Sequence, residues 1–133
     1  MIHYVSVIAT NFDNDEIVLL EKLKGHPSII GKITVPGGKV EGDEQPIIAA
    51  ARELEEEAGL VIDWTELVHA HTHVGPDYMI DFYWYDGDVS EACAQEGELE
   101  KVYIGSARAV IDNACGTYMQ DVSDIVRALS TII

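Results

Sequence analysis

Short runs of Val, Ile, Leu and Tyr, separated by turn-forming residues, recur along this chain and predict a protein rich in β-strands. The runs are Ile2 to Ala9, Glu16 to Glu21, Ile33 to Val35, Leu67 to Val74, Tyr78 to Tyr85 and Val102 to Ile104. The segment NFDND separates the first two runs, and Gly75-Pro76-Asp77 separates the fourth from the fifth. Because both connections consist of turn-forming residues, each of these two pairs of runs is predicted to form a hairpin.

One helix is predicted in the middle of the chain, where the strand pattern stops. Ala49 to Ala58 consists of strong helix formers. Pro46 suits the first helical position, where its missing N–H costs nothing, and Gly59 suits the C-terminal cap.

A second helix is predicted at the end of the chain. It begins at Gly116 or Thr117 and runs to about Leu129, because apolar residues recur there at helical spacing. This order of elements predicts one domain over residues 1–133, of the α/β (α+β) class, with a mixed sheet and one helix on either side.

Composition narrows the range of functions. Twenty-four acidic and 8 basic residues give a net charge of −16, so neither duplex nucleic acid nor an anionic membrane is an expected partner. No signal peptide or membrane span is visible in the sequence. Cys93 and Cys115 are interpreted as free thiols in a reducing cytoplasm, the predicted location, with a single disulfide as the alternative.

The most distinctive chemistry lies on the first predicted helix. Glu53, Glu56 and Glu57 are spaced i, i+3 and i+4, so their carboxylates share one face and repel one another. A divalent cation removes that repulsion, and carboxylate oxygens suit Mg²⁺, or Mn²⁺ in its place. Arg52 adjoins the three and is expected to hold one carboxylate by a bidentate pair. The alternative is a solvated acidic helix face with no metal.

The residues before this helix favour the metal hypothesis. An apolar run ends at Val35, and Pro36-Gly37-Gly38 follows it. Gly37 and Gly38 permit a tight turn and a close approach of the backbone to a ligand. A strand, a glycine turn and a helix with three carboxylates together predict a site for a metal ion and a phosphate.

One contiguous segment, Gly38 to Leu60, also carries a sequence signature. It spells G-x5-E-x7-R-E-U-x-E-E-x-G-U, where U is a bulky aliphatic residue. The fixed places are filled by Gly38, Glu44, Arg52, Glu53, Leu54, Glu56, Glu57, Gly59 and Leu60. This pattern is the signature of the Nudix hydrolases, so the chain resembles that family over residues 38–60.

The resemblance implies an α/β/α sandwich, a mixed β-sheet between helices, and Mg²⁺-dependent hydrolysis of a pyrophosphate bond in a nucleoside diphosphate linked to another group. The implied metal ligands are Glu53, Glu56, Glu57 and the Gly37 carbonyl, and one of the glutamates is also the candidate base. A further ligand is implied in the acidic loop before Val102. Spacing favours Glu98, with Glu96 and Glu100 as the alternatives.

Other roles follow from position in the pattern. Arg52 is expected to orient the carboxylates, and Glu44 to act electrostatically or structurally at the entrance of the helix. The implied contacts of the substrate phosphates are Gly38, Lys39 and Lys22. Gln120 is a candidate for hydrogen bonding to a base edge.

The substrate stays open between related nucleotides. A (deoxy)nucleoside triphosphate cut to the monophosphate and pyrophosphate, as in small MutT-type enzymes, is favoured because the chain predicts little beyond the minimal fold. ADP-ribose or a dinucleoside polyphosphate is the alternative. Pro76 lies where a proline often marks ADP-ribose hydrolases, although hairpin turn chemistry also explains it. The rivals from other classes are a non-catalytic nucleotide-sensing Nudix domain and an acidic interaction module. Both a monomer and a homodimer fit the sequence.

Two further groups of residues allow a functional and a structural interpretation. His69, His71 and His73 alternate, so on a regular strand they share one face, as a zinc site or as a solvent or pocket face. The strand and loop aromatics are candidates for base stacking or for the core. These aromatics are Trp64, Tyr83, Trp84 and Tyr85.

Overall fold

The computed structural model describes residues 1–21, 23, 30–95 and 101–132. Within them, seven strands form one mixed sheet, and three α-helices pack on its faces. The strands are β1 (Ile2–Asn11), β2 (Glu16–Glu21), β3 (Ile33–Thr34), β4 (Gly37–Lys39), β5 (Val68–Val74), β6 (Tyr78–Asp86) and β7 (Lys101–Ser106). The helices are α1 (Pro46–Ala58), α2 (Ala107–Asp112) and α3 (Gln120–Ser130). No helix in these ranges is long and apolar enough to cross a membrane.

The centre of the sheet is β1, which runs parallel to β6 along its whole length. It pairs with β2 only at Thr10 and Asn11, because the two strands diverge beyond their shared turn. The segment from β3 to β4 lies in the gap: β3 pairs with the far end of β2, and β4 pairs with β1. This wedge brings Gly37 and Gly38 into the middle of the sheet. The predicted hairpins of β1 with β2 and of β5 with β6 are confirmed.

Two separate cores lie on the two faces of the sheet, as the alternation of side chains along β1 requires. Val5, Val7 and Ala9 point to the face that α1 covers. Ile8 points to the opposite face, which α2 and α3 cover. The α/β/α sandwich is therefore confirmed, and the mixed sheet lies between the helices as expected.

The expectation of one helix on each face is wrong, because α2 joins α3 on the second face. This short helix carries local signals that sequence reasoning passed over. The Ser106 side chain caps its N-terminus by accepting from the Ala109 N–H at 3.1 Å, and Asn113 adopts the left-handed conformation at its C-terminus.

The last helix begins at Gln120, three to four residues later than predicted. Residues before it are held by β3 instead: the Ile33 N–H donates to the Thr117 carbonyl at 3.1 Å, and the Met119 N–H donates to the Ile33 carbonyl at 2.9 Å. A backbone that satisfies its hydrogen bonds with a strand has no reason to begin a helix there.

The histidines of β5 do not share one face. A bulge between His69 and His71 shifts the register of β5 against β6. His69 lies beside Tyr83 on the α1 face, whereas His71 lies beside Phe82 on the α3 face. The single-face histidine site is therefore wrong, and no group of three metal-binding side chains occurs within the described ranges.

The bulge gives His69 a structural role next to Asp81, which is buried on β6. The Asp81 carboxylate receives hydrogen bonds from His3 Nε2 at 2.6 Å, from His69 Nε2 at 2.9 Å and from the Thr72 hydroxyl. Burial by itself raises the pKa of Asp81, but these three hydrogen bonds outweigh it and hold the pKa below its ordinary value of 3.8. The cluster thus ties β1, β5 and β6 together.

We expect Asp81→Asn to lower the free energy of unfolding by about 2 kcal/mol at neutral pH, because it removes a buried charged acceptor. A folded-state pKa below the unfolded one adds stability that is present above the unfolded pKa and is lost as pH falls through the folded pKa. The difference between the variant and the wild type should therefore shrink below about pH 4. Denaturant titrations from pH 7 to pH 3 measure it, with Asp77→Asn on the exposed turn as control. A difference that stays constant over this range contradicts the assignment.

Candidate active site

Helix α1 is held against the sheet by small residues. Ala49, Ala50, Leu54 and Ala58 are fully buried against β1, and the alanines allow the helix to approach closely. Gly59 ends the helix in the left-handed conformation, and its N–H donates to the Glu55 carbonyl at 2.9 Å. The helix therefore lies in a fixed position over β1 and β4, with part of its acidic face turned toward the glycines of β4.

Two of the three predicted glutamates are buried against β4. The Gly37 N–H donates to Glu57 Oε1 at 2.7 Å. A Cβ atom on Gly38 would overlap the carboxylate group of Glu53. Glu53 and Glu57 are 9% and 7% exposed. Only a residue without a side chain at position 38 leaves room for this carboxylate.

The glycine pair lies in a strand, so the expected tight turn is wrong, and the backbone of the pair lies close to the carboxylates of Glu53 and Glu57. Val7 N–H donates to the Pro36 carbonyl, and Val40 N–H donates to the His3 carbonyl. Along an antiparallel pair, every second residue points its N–H and C=O toward the partner strand. Gly37 is one of the residues in between, so its N–H and C=O point away from β1. The Gly37 N–H donates to Glu57, and the Gly37 carbonyl points to the same edge of β4, the one away from β1.

Arg52 connects the acidic residues to one another. It forms a bidentate pair with Glu44, through Nε at 2.8 Å and Nη2 at 3.0 Å. Its Nη1 also donates to Glu53 at 2.9 Å and to Glu56 at 3.1 Å, and Nη2 donates to the Lys39 carbonyl at 3.0 Å. The expected bidentate pair is thus made with Glu44 at the helix entrance, and the site glutamates receive single hydrogen bonds.

The contacts of Arg52 and the burial of the cluster shift the pKa values of Glu44 and Glu53 in opposite directions. Hydrogen bonding to Arg52 holds the pKa of Glu44 below its ordinary value. Burial raises the pKa of Glu53 above its ordinary value, although Arg52 opposes the shift. The neighbouring charge of Glu56 raises it further. The cluster therefore holds more negative charge than one guanidinium neutralises.

The donor chemistry of the cluster fits a hard divalent cation such as Mg²⁺. Three carboxylates and a backbone carbonyl that faces the same edge are oxygen donors of the preferred kind. No three of these side chains meet at one point among the described residues, because Arg52 lies between Glu53 and Glu56. The Glu56 side chain is 51% exposed, so it can leave Arg52 by a change of rotamer at small cost. The donor groups fit the ion, and Glu56 is the carboxylate that would have to move to complete the set.

An open cavity of about 470 Å³ lies on the other side of the glycine pair. Val35 and Ile80 on its wall belong to the core of the α2 and α3 face, so the cavity opens on the face opposite α1. A Cβ atom on Gly37 would overlap the Val5 carbonyl oxygen and meet Ser6 at this wall, whereas one on Gly38 would overlap the Glu53 carboxylate. Its lining consists of Tyr4, Val5, Ser6, Thr34, Val35, Gly37, Gly38, Tyr78 and Ile80. The backbone of two glycines is therefore shared by the cavity and the acidic cluster.

The other predicted contacts fall in different places. Lys39 is exposed at the end of β4, beside the cluster. The Gln120 side chain donates a hydrogen bond to Asp124 at 2.8 Å and accepts one from Asn113 at 3.3 Å. It is not part of the cavity lining. Lys22 and the loop acids Glu96, Glu98 and Glu100 lie outside the described residues.

The aromatic residues of the cavity were missed by the sequence analysis. Tyr4 and Tyr78 line it, whereas Tyr83 is buried in the α1-side core and Trp84 Nε1 donates to the Thr10 hydroxyl at 2.9 Å. Trp64 is 48% exposed and lies away from this cavity. Tyr4 and Tyr78 come from strands far apart in sequence, so no local pattern marks them as neighbours.

Comparison with known proteins gives one family and one curated relative of stated activity. The NUDIX domain matches residues 3–112. An 8-oxo-dGTP diphosphatase of Haemophilus influenzae is 34% identical over 85 residues, which make up 62% of this chain and 62% of the relative. The chain thus spans less than two thirds of that enzyme's length.

Two solved structures resemble the fold, one over nearly the whole chain and one over about four fifths of it. A MutT structure, from work on the Aliivibrio salmonicida and Vibrio cholerae proteins, gives a TM-score of 0.73 at 25% identity, over 96% of this chain and 98% of that one. A MutT/nudix family protein of Enterococcus faecalis gives 0.67 at 22% identity, over 79% of this chain and 43% of that one, and shows the fold alone. Because the NUDIX match takes in most of the chain, with β4, α1 and the glutamates of α1 inside it, the chain belongs to the Nudix hydrolase family.

Proposed function

We propose that the chain is a Mg²⁺-dependent pyrophosphohydrolase that cuts a nucleoside triphosphate to the monophosphate and pyrophosphate. The observation that carries this proposal is the shared glycine backbone. On one side it contacts the carboxylates of Glu53 and Glu57, and on the other it lines a cavity of about 470 Å³. A substrate whose nucleoside lies in the cavity can therefore place its phosphates at the acidic cluster, because only β4 separates the two.

The residues divide into ligands and positioning groups. Glu53, Glu56, Glu57 and the Gly37 carbonyl would hold the metal ion. When bound, Mg²⁺ stabilises charge on the phosphate oxygens and lowers the pKa of an attacking water. Arg52 keeps Glu53 turned toward Gly38 and is itself fixed by the bidentate pair with Glu44. Burial fixes Glu53 and Glu57, and Glu56 remains free to adjust.

Lys39 and one of the site glutamates have proposed roles at the phosphates. Lys39 follows the glycine pair directly and is exposed beside the cluster, where a point charge suits a phosphate oxygen. The proton of the attacking water passes to one of the site glutamates.

The proposed substrate class rests on one named relative and on the position of Pro76. The Haemophilus influenzae relative is named an 8-oxo-dGTP diphosphatase, so an oxidised deoxynucleoside triphosphate is the first candidate for this chain. ADP-ribose hydrolysis is the runner-up that Pro76 suggested. Pro76 lies in the tight connection of β5 to β6, where the Gly75 N–H donates to the Tyr78 carbonyl at 2.8 Å, so turn geometry accounts for it.

The test is a hydrolysis panel at fixed pH with Mg²⁺ and with a chelator. We expect turnover only with the metal, and kcat/KM at least tenfold higher for 8-oxo-dGTP or dGTP than for ADP-ribose or a dinucleoside polyphosphate, which is about 1.4 kcal/mol of transition-state binding. A tenfold preference for ADP-ribose transfers the proposal to the runner-up. Binding of nucleotide without turnover of any substrate in the panel identifies a sensor, and absence of both binding and turnover identifies an interaction module.

A further inference from the structure

The cavity beside the glycine pair has an aromatic wall, and neighbouring residues hold its rings in place. The rings of Tyr4 and Tyr78 meet edge to face, with centroids 6.4 Å apart and planes at 73°. Both rings line the cavity, together with Ile80. Because β1 and β6 are parallel and in register there, Ile2 lies opposite Tyr78 and Tyr4 lies opposite Ile80, so the two rings belong to neighbouring strands of one rigid sheet.

Tyr78 is held in place by two further residues, one at the end of β5 and one in the turn that follows it. His73 lies against its ring, with centroids 5.8 Å apart and planes at 45°, and His73 Nε2 lies 3.3 Å from the Tyr78 hydroxyl. Gly75 lies so close that an added Cβ atom would fall 2.5 Å and 2.8 Å from two ring carbons. The Gly75 N–H also donates to the Tyr78 carbonyl, which closes the turn. The ring therefore has little freedom to move away from the cavity.

We propose that Tyr78 is the specificity-determining contact of the nucleoside, with its ring as the stacking surface for the base and with Gly75 and His73 as the positioning residues that hold the ring. The proposal rests on the proposed function for the direction of the phosphates, toward Gly37 and Gly38. A fixed aromatic ring stacks on any base without reading its edge, so it selects for the presence of a base and discriminates weakly among bases. The wall thus favours nucleotides over phosphate compounds that carry no base.

Two binding probes separate the base from the phosphate. Both dGMP and ribose 5-phosphate carry one phosphate on a pentose, and only dGMP has a base. Calorimetric titration of the Mg²⁺-loaded protein with each probe measures the contribution of the base directly and needs no turnover. We expect wild type to bind dGMP at least tenfold more tightly than ribose 5-phosphate.

Three substitutions locate that preference. We expect Tyr78→Leu to weaken dGMP binding about tenfold and to leave ribose 5-phosphate binding unchanged. We expect Tyr78→Phe, which keeps the ring, to restore the preference. Gly75→Ala should behave like Tyr78→Leu because its methyl group displaces the ring. Gly87→Ala is the matched control, since a Cβ atom there meets Tyr85 in the same way, with the Tyr85 hydroxyl 2.6 Å away, but on the α1 side of the sheet.

The outcomes distinguish this inference from the proposed function. If Tyr78→Leu weakens the binding of dGMP and of ribose 5-phosphate equally, the stacking assignment is wrong. It is also wrong if Gly87→Ala loses the preference for dGMP over ribose 5-phosphate. In turnover assays with dGTP, the same inference requires Tyr78→Leu to raise KM with little change in kcat. If wild type hydrolyses no triphosphate but Tyr78→Leu still abolishes the preference for dGMP, the proposed reaction fails and the nucleoside site stands.

Discussion

We expect Glu57→Gln to lower kcat for a nucleoside triphosphate on the order of a hundredfold or more while leaving the fold intact. The amide keeps the oxygen that accepts from the Gly37 N–H at 2.7 Å in the native protein, so the contact with β4 survives. What is lost is a negative charge in a cluster where Glu53 already has a raised pKa through burial and through the charge of Glu56. Without metal, that loss removes one charge from an acidic cluster, so it should add little cost.

The same variant has a second readout that does not depend on turnover. Millimolar Mg²⁺ should raise the thermal midpoint of the native protein by ligand linkage, and chelator should reverse the rise. In Glu57→Gln the midpoint without metal should match or exceed that of the native protein, and the rise with Mg²⁺ should be much smaller. Glu55→Gln, which removes an exposed carboxylate from the same helix, is the matched control for both measurements. Near-normal kcat in Glu57→Gln at saturating Mg²⁺ would show that this carboxylate is not a ligand.

Much of the scaffold was predictable because its signals are local. The strands that were predicted alternate or run continuously in apolar residues, and α1 combines helix formers with Pro46 at its start and Gly59 at its end. Such signals fix the kind of element and its approximate bounds. They also placed Glu53, Glu56 and Glu57 on one helix, and the structure confirms that placement.

The parts that were mispredicted depend on contacts between distant segments. Gly37 and Gly38 have no side chains to show an alternating pattern, and only pairing with β1 makes them a strand. The bulge in β5 sends His69 and His71 to opposite faces, and it depends on the register with β6. Residues 117–119 lie outside the last helix because they pair with Ile33. In each case the deciding hydrogen bonds join segments whose neighbourhood the chain order alone does not give.

The cavity shows the same limit for function. Its aromatic wall combines Tyr4 from the first strand with Tyr78 from the sixth, and the parallel pairing of β1 with β6 brings them together. Neither residue stands out in the sequence, and the aromatic residues that do, Trp84 and Tyr83, serve the two cores. The signature thus reports the acidic half of the proposed site, and the topology of the sheet supplies the cavity that we propose as the other half.

The second large effect concerns the glycine that separates these halves. We expect Gly38→Ala to lower kcat at least tenfold, because its methyl group would occupy the space of the Glu53 carboxylate. Position 38 does not have the positive φ that only glycine readily adopts, so alanine meets no backbone strain there. The effect must therefore arise from displacement of Glu53, which carries with it the hydrogen bond from Arg52 at 2.9 Å.

Gly105→Ala provides the comparison that separates catalysis from general destabilisation. Gly105 also lies in a strand without positive φ, and its added methyl group would meet Leu19 Cδ1 at 2.6 Å in the core behind β7. Both variants should lose about 1–2 kcal/mol of unfolding free energy through overpacking. Only Gly38→Ala should also lose kcat and the Mg²⁺-dependent rise of the thermal midpoint. If Gly38→Ala matches Gly105→Ala in both stability and kcat, Glu53 has moved without consequence, and it is not a ligand of the catalytic metal.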